Sequence, residues 1–200
     1  ICEWTKKSLT NQGYCYKEKF YGIKSHLCCQ MSPSIGVCNN KCLHCWRAIE
    51  LTIDKNMKKI KIDNPKEIII QCIIQQRKLL SGFKGNPKVN KNKLKQAQEP
   101  MQFAISLTGE PTLYPKLGEF IKELRKRGKT SFLVTNGLQP KVLKKLYKKK
   151  QLPTQLYVSL NSPNEKLYNE FHRSLKKNAW KKFNETLILL KKIKKNTRTV

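Results

Sequence analysis

The 200-residue sequence predicts an α/β protein built on a parallel sheet that curves into an open or partial barrel. Three observations carry this. Over residues 103–200, short apolar runs rich in β-branched and aromatic residues alternate with stretches of helical periodicity. Each pair of runs is separated by enough chain for a helix, and strands joined by helical crossovers are parallel. Each run closes on a small polar segment, the pattern expected where strand C-terminal ends share one functional rim.

The elements follow in order. Residues 1–30 are polar and aromatic without sustained periodicity, and are expected to wrap the core as an N-terminal extension; the core itself spans 31–200. Residues 31–37 are expected to form a first short strand feeding a cysteine loop. Asn64 and Pro65 predict a helix start, with a helix over 66–80 whose stripe is Ile68, Ile69, Cys72, Ile73, Gln76 and Leu80. Residues 81–99 are rich in Gly, Pro, Asn and Lys and predict a surface insertion holding at most a short helix. Strands are expected at 103–107, 131–135 and 155–160. Helices are expected at 115–128 (Leu117, Phe120, Ile121 and Leu124 inward), from Gln139-Pro140 to about 149, at 164–171 and at 178–193. A last strand begins at 197–200.

Composition narrows the class. The net charge is +29, from 42 Lys and Arg against 13 Asp and Glu. Two sources fit: a nucleic-acid-binding face, and AT-rich codons, since 36 of the 42 are Lys and Asn and Ile are abundant. The lysine runs at 144–150 and 176–195 suit solvated helix faces. A hydrophobic content of 38% suffices for one core. No stretch approaches the ~20 apolar residues of a membrane span, and no apolar leader opens the chain. Ile1 is not an initiator methionine, so a fragment of a longer protein is expected.

Seven of the eight cysteines lie in the first 45 residues, an asymmetry unlike a disulfide framework. A reducing, cytoplasmic setting and metal or cluster ligation are expected. Cys38, Cys42 and Cys45 follow C-x3-C-x2-C. Three close thiolates suit a [4Fe–4S] cluster with one iron left for a substrate; zinc, with His44 as a fourth ligand, is the alternative. The segment resembles the signature of radical S-adenosylmethionine (SAM) enzymes, with Trp46 after the last cysteine. Cys2, Cys15 and Cys28 recur every 13 residues and are candidates for a second [4Fe–4S] centre. Cys29 and Cys72 suit small buried apolar positions.

The polar strand ends are Thr108-Gly109-Glu110-Pro111, Thr135-Asn136-Gly137 and Ser159 to Pro163. Each alone is an ordinary turn former. As a set beside a cluster loop they suit SAM: Thr108, Gly109 and Glu110 for close backbone approach and an ammonium, Asn136 for a carboxylate or ribose, and Ser159 and Asn161 for ribose hydroxyls or the amino-acid group.

Seven segments together, CEWTKKSL, GYCYKEKFYGIKSH, CNNKCLHCWR, SLTGEPTLYP, FLVTNGLQP, LYVSLNSP and NTRTV, resemble the tRNA 4-demethylwyosine synthase family of wybutosine biosynthesis. The resemblance covers essentially the whole chain. It implies a partial (β/α)6 TIM-like barrel of the radical SAM type with an N-terminal extension, the C-terminal part lying beyond Val200. It implies two [4Fe–4S] clusters, one on Cys38, Cys42 and Cys45 and one on Cys2, Cys15 and Cys28, with SAM as cosubstrate. It implies that Lys17 holds pyruvate as a Schiff base, with Lys19 as the alternative. The implied reaction joins carbons 2 and 3 of pyruvate to N1-methylguanosine beside the anticodon of phenylalanine tRNA. An external flavodoxin- or ferredoxin-like electron donor is implied, since no flavodoxin-like module is present, and a cytoplasmic monomer is expected. One departure stands out: Asn161 occupies a place where the family usually has an acidic residue. Two rival readings are a radical SAM enzyme acting on another RNA or a small molecule, and a zinc-bearing RNA-binding module.

Overall fold

The computed structural model describes residues 1–53 and 61–200. Five strands, β1 (Cys28–Met31), β2 (Gln102–Ile105), β3 (Thr130–Thr135), β4 (Gln155–Val158) and β5 (Arg198–Thr199), form one all-parallel sheet in chain order. Spatial order that repeats chain order means each crossover advances the same way, as in the wall of a (β/α) barrel. The α/β class and parallel topology are those expected.

The crossover helices are α3 (Pro65–Leu80), α4 (Lys91–Gln96), α5 (Leu117–Lys126), α6 (Pro140–Lys148), α7 (Glu165–His172) and α8 (Ala179–Ile193), preceded by α1 (Glu3–Leu9) and α2 (Tyr16–Tyr21). The Asn64 side chain caps α3 by accepting from Lys66 N–H at 2.9 Å, with Pro65 in the first turn. Ile69, Ile73, Gln76 and Leu80 of the expected stripe are buried. In α5 the four inward residues are all buried, packed on Phe103, Ile105 and Leu133 of the sheet. The lysines of α6 are exposed on the outer surface, as are most of those on and around α8.

Two expectations need correction. The first strand lies at Cys28–Met31, not 31–37. After Met31 the chain bends: Pro33 offers no N–H to a ladder, and Gly36 takes a left-handed φ of 77°. Only Val37 returns to extended pairing, as an isolated bridge to Ile53. Residues 28–31 fill the strand because cysteine buries like a small hydrophobe, and Cys28 and Cys29 are both buried. The boundary expected after residue 30 therefore falls inside β1. The insertion at 81–99 contains the short helix expected, α4, but Leu94 and Ala97 are buried with Leu9 and Leu80 in a second apolar cluster that seats α1.

Strand alternation gives the sheet two unlike faces. Cys29, Met31, Phe103, Ile105, Leu133 and Leu156 meet the helices. The opposite, interior face carries Cys28, Gln30, Gln102, Ala104, Phe132, Val134, Gln155 and Tyr157. Register sets Cys28 beside Gln102, Ala104 beside Phe132, and Gln155 beside Arg198. Glutamines and an arginine along a sheet face suit a ligand chamber better than a packed core.

Candidate active site

The cysteine loop leaves β1 and crosses the C-terminal rim of the sheet. Backbone bonds clamp it to the end of α7: Lys41 N–H donates to the His172 carbonyl (3.1 Å), Leu43 N–H to Phe171 (2.9 Å), and Leu175 N–H to Asn39 (2.9 Å). From the sheet side, Asn136 Nδ2 donates to Asn39 Oδ1 at 2.7 Å. Asn39 and Asn40 are buried. These protein contacts define the loop's path on their own.

Gly109 takes φ 70°, and a Cβ there would lie 2.0 Å from the Ser34 carbonyl oxygen and 2.9 Å from that of Val37. The glycine thus admits the foot of the cysteine loop, which Glu110 N–H then secures by donating to the Val37 carbonyl at 2.8 Å. The Ser32 hydroxyl donates to the Thr108 carbonyl. Glu110 is buried and acts as a brace. Its Oε1 accepts from Thr112 N–H (3.0 Å), Thr112 Oγ1 (2.5 Å) and Thr135 Oγ1 (2.6 Å), and its Oε2 from Asn136 N–H (2.8 Å). Burial pushes its carboxyl pKa up, against the pull of those donors. Among the described residues Oε2 accepts one bond, against three at Oε1. Ser159 N–H donates to the Thr135 carbonyl at 2.9 Å, and Asn161 Nδ2 meets His44 Nε2 at 3.2 Å.

Thr108, Gly109, Glu110, Asn136, Ser159, Asn161, Cys38, Cys42 and Cys45 all line one cavity of about 220 Å³, joined by Trp46, Arg47, Val134 and His172. Burial raises the Cys38 thiol, and it raises that of Cys42 to about 11, with Cys38 and Cys45 adding to the rise. A metal that binds these sulfurs as thiolates displaces their protons and offsets the mutual repulsion. Among the described residues no three Cys, His, Asp or Glu side chains converge on a single ion position. Three cysteine thiols on one short loop lining one cavity are a donor set that fits an iron–sulfur cluster. His172, which the sequence reading did not single out, brings Nδ1 to 3.2 Å from Cys42 Sγ.

The second triad assembles elsewhere. Cys2 precedes α1, Cys15 precedes α2, and Cys28 opens β1, so the 13-residue spacing puts each thiol at the head of an element. All three line a small cavity with Lys17, Ser25 and Gln102. Thr5 Oγ1 lies 3.1 Å from the Ser25 carbonyl, which it donates to, tying α1 down. The Ser25 hydroxyl in turn accepts from Cys15 N–H at 2.9 Å. Gln102 Nε2 donates to Cys28 Sγ at 3.2 Å, and its own Oε1 is buried without a partner among the described residues. Burial raises the Cys28 thiol pKa, with Lys17 and Gln102 opposing. Lys17 Nζ lies 5.0 Å from the centre of the Phe132 ring, over the interior face. Lys19 instead points outward beside exposed Phe20.

Both sites open on the same sheet face. Phe132, under Lys17, and Val134, in the wall of the first cavity, are neighbours on that face of β3. Among the described residues no helix is long and apolar enough to cross a membrane.

Comparison with known proteins agrees with this geometry. The SAM-dependent tRNA 4-demethylwyosine synthase of Pyrococcus abyssi is 45% identical over 200 residues, covering 100% of this chain and 58% of its own length. That of Saccharomyces cerevisiae is 36% identical over 200 residues, 24% of its length. A solved structure of TYW1 with a lysine–pyruvate adduct bound superposes with a TM-score of 0.83 at 36% identity, over 96% of this chain and 61% of that one. Archaeal TYW1 gives 0.76 at 34% identity, over 100% and 62%. The chain thus spans less than two thirds of the length of these relatives. The Radical SAM superfamily model matches residues 32–200, and with a parallel sheet and a three-cysteine loop at its rim the chain belongs to that superfamily.

Proposed function

We propose that this chain is the catalytic part of a tRNA 4-demethylwyosine synthase, joining carbons 2 and 3 of pyruvate to N1-methylguanosine in phenylalanine tRNA. The observation that carries the reading is Lys17: an amine over the interior sheet face, beside a second thiol triad and on the same face as the SAM cavity. The solved relative with a lysine–pyruvate adduct supports it.

When bound, the cluster on Cys38, Cys42 and Cys45 and its SAM supply a 5′-deoxyadenosyl radical. The chain's residues do the rest. Glu110, Asn136, Ser159 and Asn161 orient SAM's polar ends, and the loop clamp fixes the thiols. Lys17 Nζ, as the free amine, adds to the pyruvate ketone; loss of water leaves a Schiff base that holds the three-carbon unit in reach. Cys2, Cys15 and Cys28 hold a second [4Fe–4S] cluster, with Gln102 as donor to one thiolate. Trp46, 76% exposed on the cavity rim, and Arg47 offer a stacking surface and a cation to an unpaired anticodon-loop base. The basic surface suits tRNA phosphate, and an external flavodoxin- or ferredoxin-like protein delivers electrons.

Borohydride trapping of the full-length protein with labelled pyruvate tests the reading. Label is expected on the wild type and on Lys19→Ala but not on Lys17→Ala. Label retained by Lys17→Ala would overturn the role of Lys17.

A further inference from the structure

We propose that His172 is a positioning residue for the iron–sulfur cluster: its Nδ1–H donates to the Cys42 sulfur, fixing that thiolate and making the cluster easier to reduce. The inference rests on the cluster assignment made above.

The imidazole is held on every side. Its Nδ1 is 3.2 Å from Cys42 Sγ. Its ring packs 4.4 Å from that of Tyr168, itself only 1% exposed and backed by Trp180 and Phe183. His44 closes a further side, edge-on at 5.8 Å. The His172 carbonyl accepts from Lys41 N–H, so its main chain and side chain grip consecutive residues of the cysteine loop.

Donor accounting fixes the tautomer. A cluster-bound thiolate has no proton to give, so the bond forms only if the nitrogen supplies it. His172 is 3% exposed, and its Nε2 is buried without a partner among the described residues. A proton on Nε2 would orphan a buried N–H and set the Nδ1 lone pair against thiolate sulfur, two penalties together. A proton on Nδ1 removes both. An N–H···S bond withdraws charge from the sulfur, which favours the electron-richer reduced cluster. Reduction must precede SAM cleavage, so the bond acts on the demanding electron transfer.

The test is an EPR-monitored redox titration of the reconstituted full-length protein, following the signal that changes when SAM is added. His172→Leu removes the donor and keeps an apolar filling. His172→Asn keeps an amide nitrogen close to the Nδ1 position. At a fixed potential, His172→Leu is expected to lower the ratio of reduced to oxidised cluster about tenfold, equivalent to about 59 mV for one electron, with His172→Asn near the wild type. An unchanged midpoint in His172→Leu at wild-type iron content would overturn the proposal. If His172→Leu fails to take up iron, His172→Asn decides: wild-type iron and midpoint support the bond, and anything short of that assigns the residue to packing alone. A wild-type protein without the SAM-sensitive signal would instead refute the cluster assignment, an outcome distinct from either.

Discussion

Cys38, Cys42 and Cys45 stand within one loop, whereas Cys2, Cys15 and Cys28 begin three separate elements. The first triad needs only a loop path, supplied by the clamp to α7 and by the close approach at Gly109. The second exists only once α1 and α2 dock on β1. Each has side-chain nitrogens against its sulfurs, His172 at Cys42 and Asn136 at Cys38 in the first and Gln102 at Cys28 in the second. The difference separates a locally encoded site from one that is a product of tertiary assembly, and the two should fail differently.

The largest effect is expected from single ligand losses. The reconstituted full-length protein should hold about eight irons, and Cys42→Ala and Cys15→Ala should each bring this to about four. Only Cys42→Ala should abolish reductive SAM cleavage, measured as 5′-deoxyadenosine; equal loss in both would erase the division of labour. Glu110→Ala strands four donors, three of them in buried bonds, and is expected to cost about 3 kcal/mol in chemical denaturation. Gly109→Ala imposes a Cβ on the Ser34 carbonyl at a left-handed φ, a strain of about 2 kcal/mol, and should deplete iron from the first site while the second keeps its own. The smallest effect sharpens the contrast from the other side. Thr5→Val removes the bond that ties α1 to Ser25, costing about 1 kcal/mol, and a chelator should then strip the second site faster than the first.

Much of this was legible in the sequence because periodicity and spacing are local. The five helices expected in the core lie within a few residues of their expected bounds, and every residue named for SAM and its cluster lines one cavity. What escaped was set at element edges. His172 is the last residue of α7, one beyond the helix expected at 164–171, and Gln102 is the first of β2, one before the strand expected at 103. Both sit where a periodic pattern has just ended or not yet begun. Tyr168, four residues before His172 on the same helix face, was the available signal that residue 172 turns inward. β1 was misplaced for a related reason: Cys28 was assigned to chemistry, and Cys29, though read as a buried apolar position, was not counted as part of a strand.

The shared face of β3 has a mechanical consequence. Phe132 and Val134 are one pleat repeat apart, about 7 Å along the strand, and that repeat is the gauge between the Lys17 amine and the cavity of the first thiol triad. Deleting a single residue from β3 would turn Val134 or Phe132 to the helical side and put the two half-sites out of phase. Each would keep its own ligands, yet the pair would no longer face one another. The indivisible unit of this face is therefore the strand's two-residue step, which no change at either thiol triad could restore.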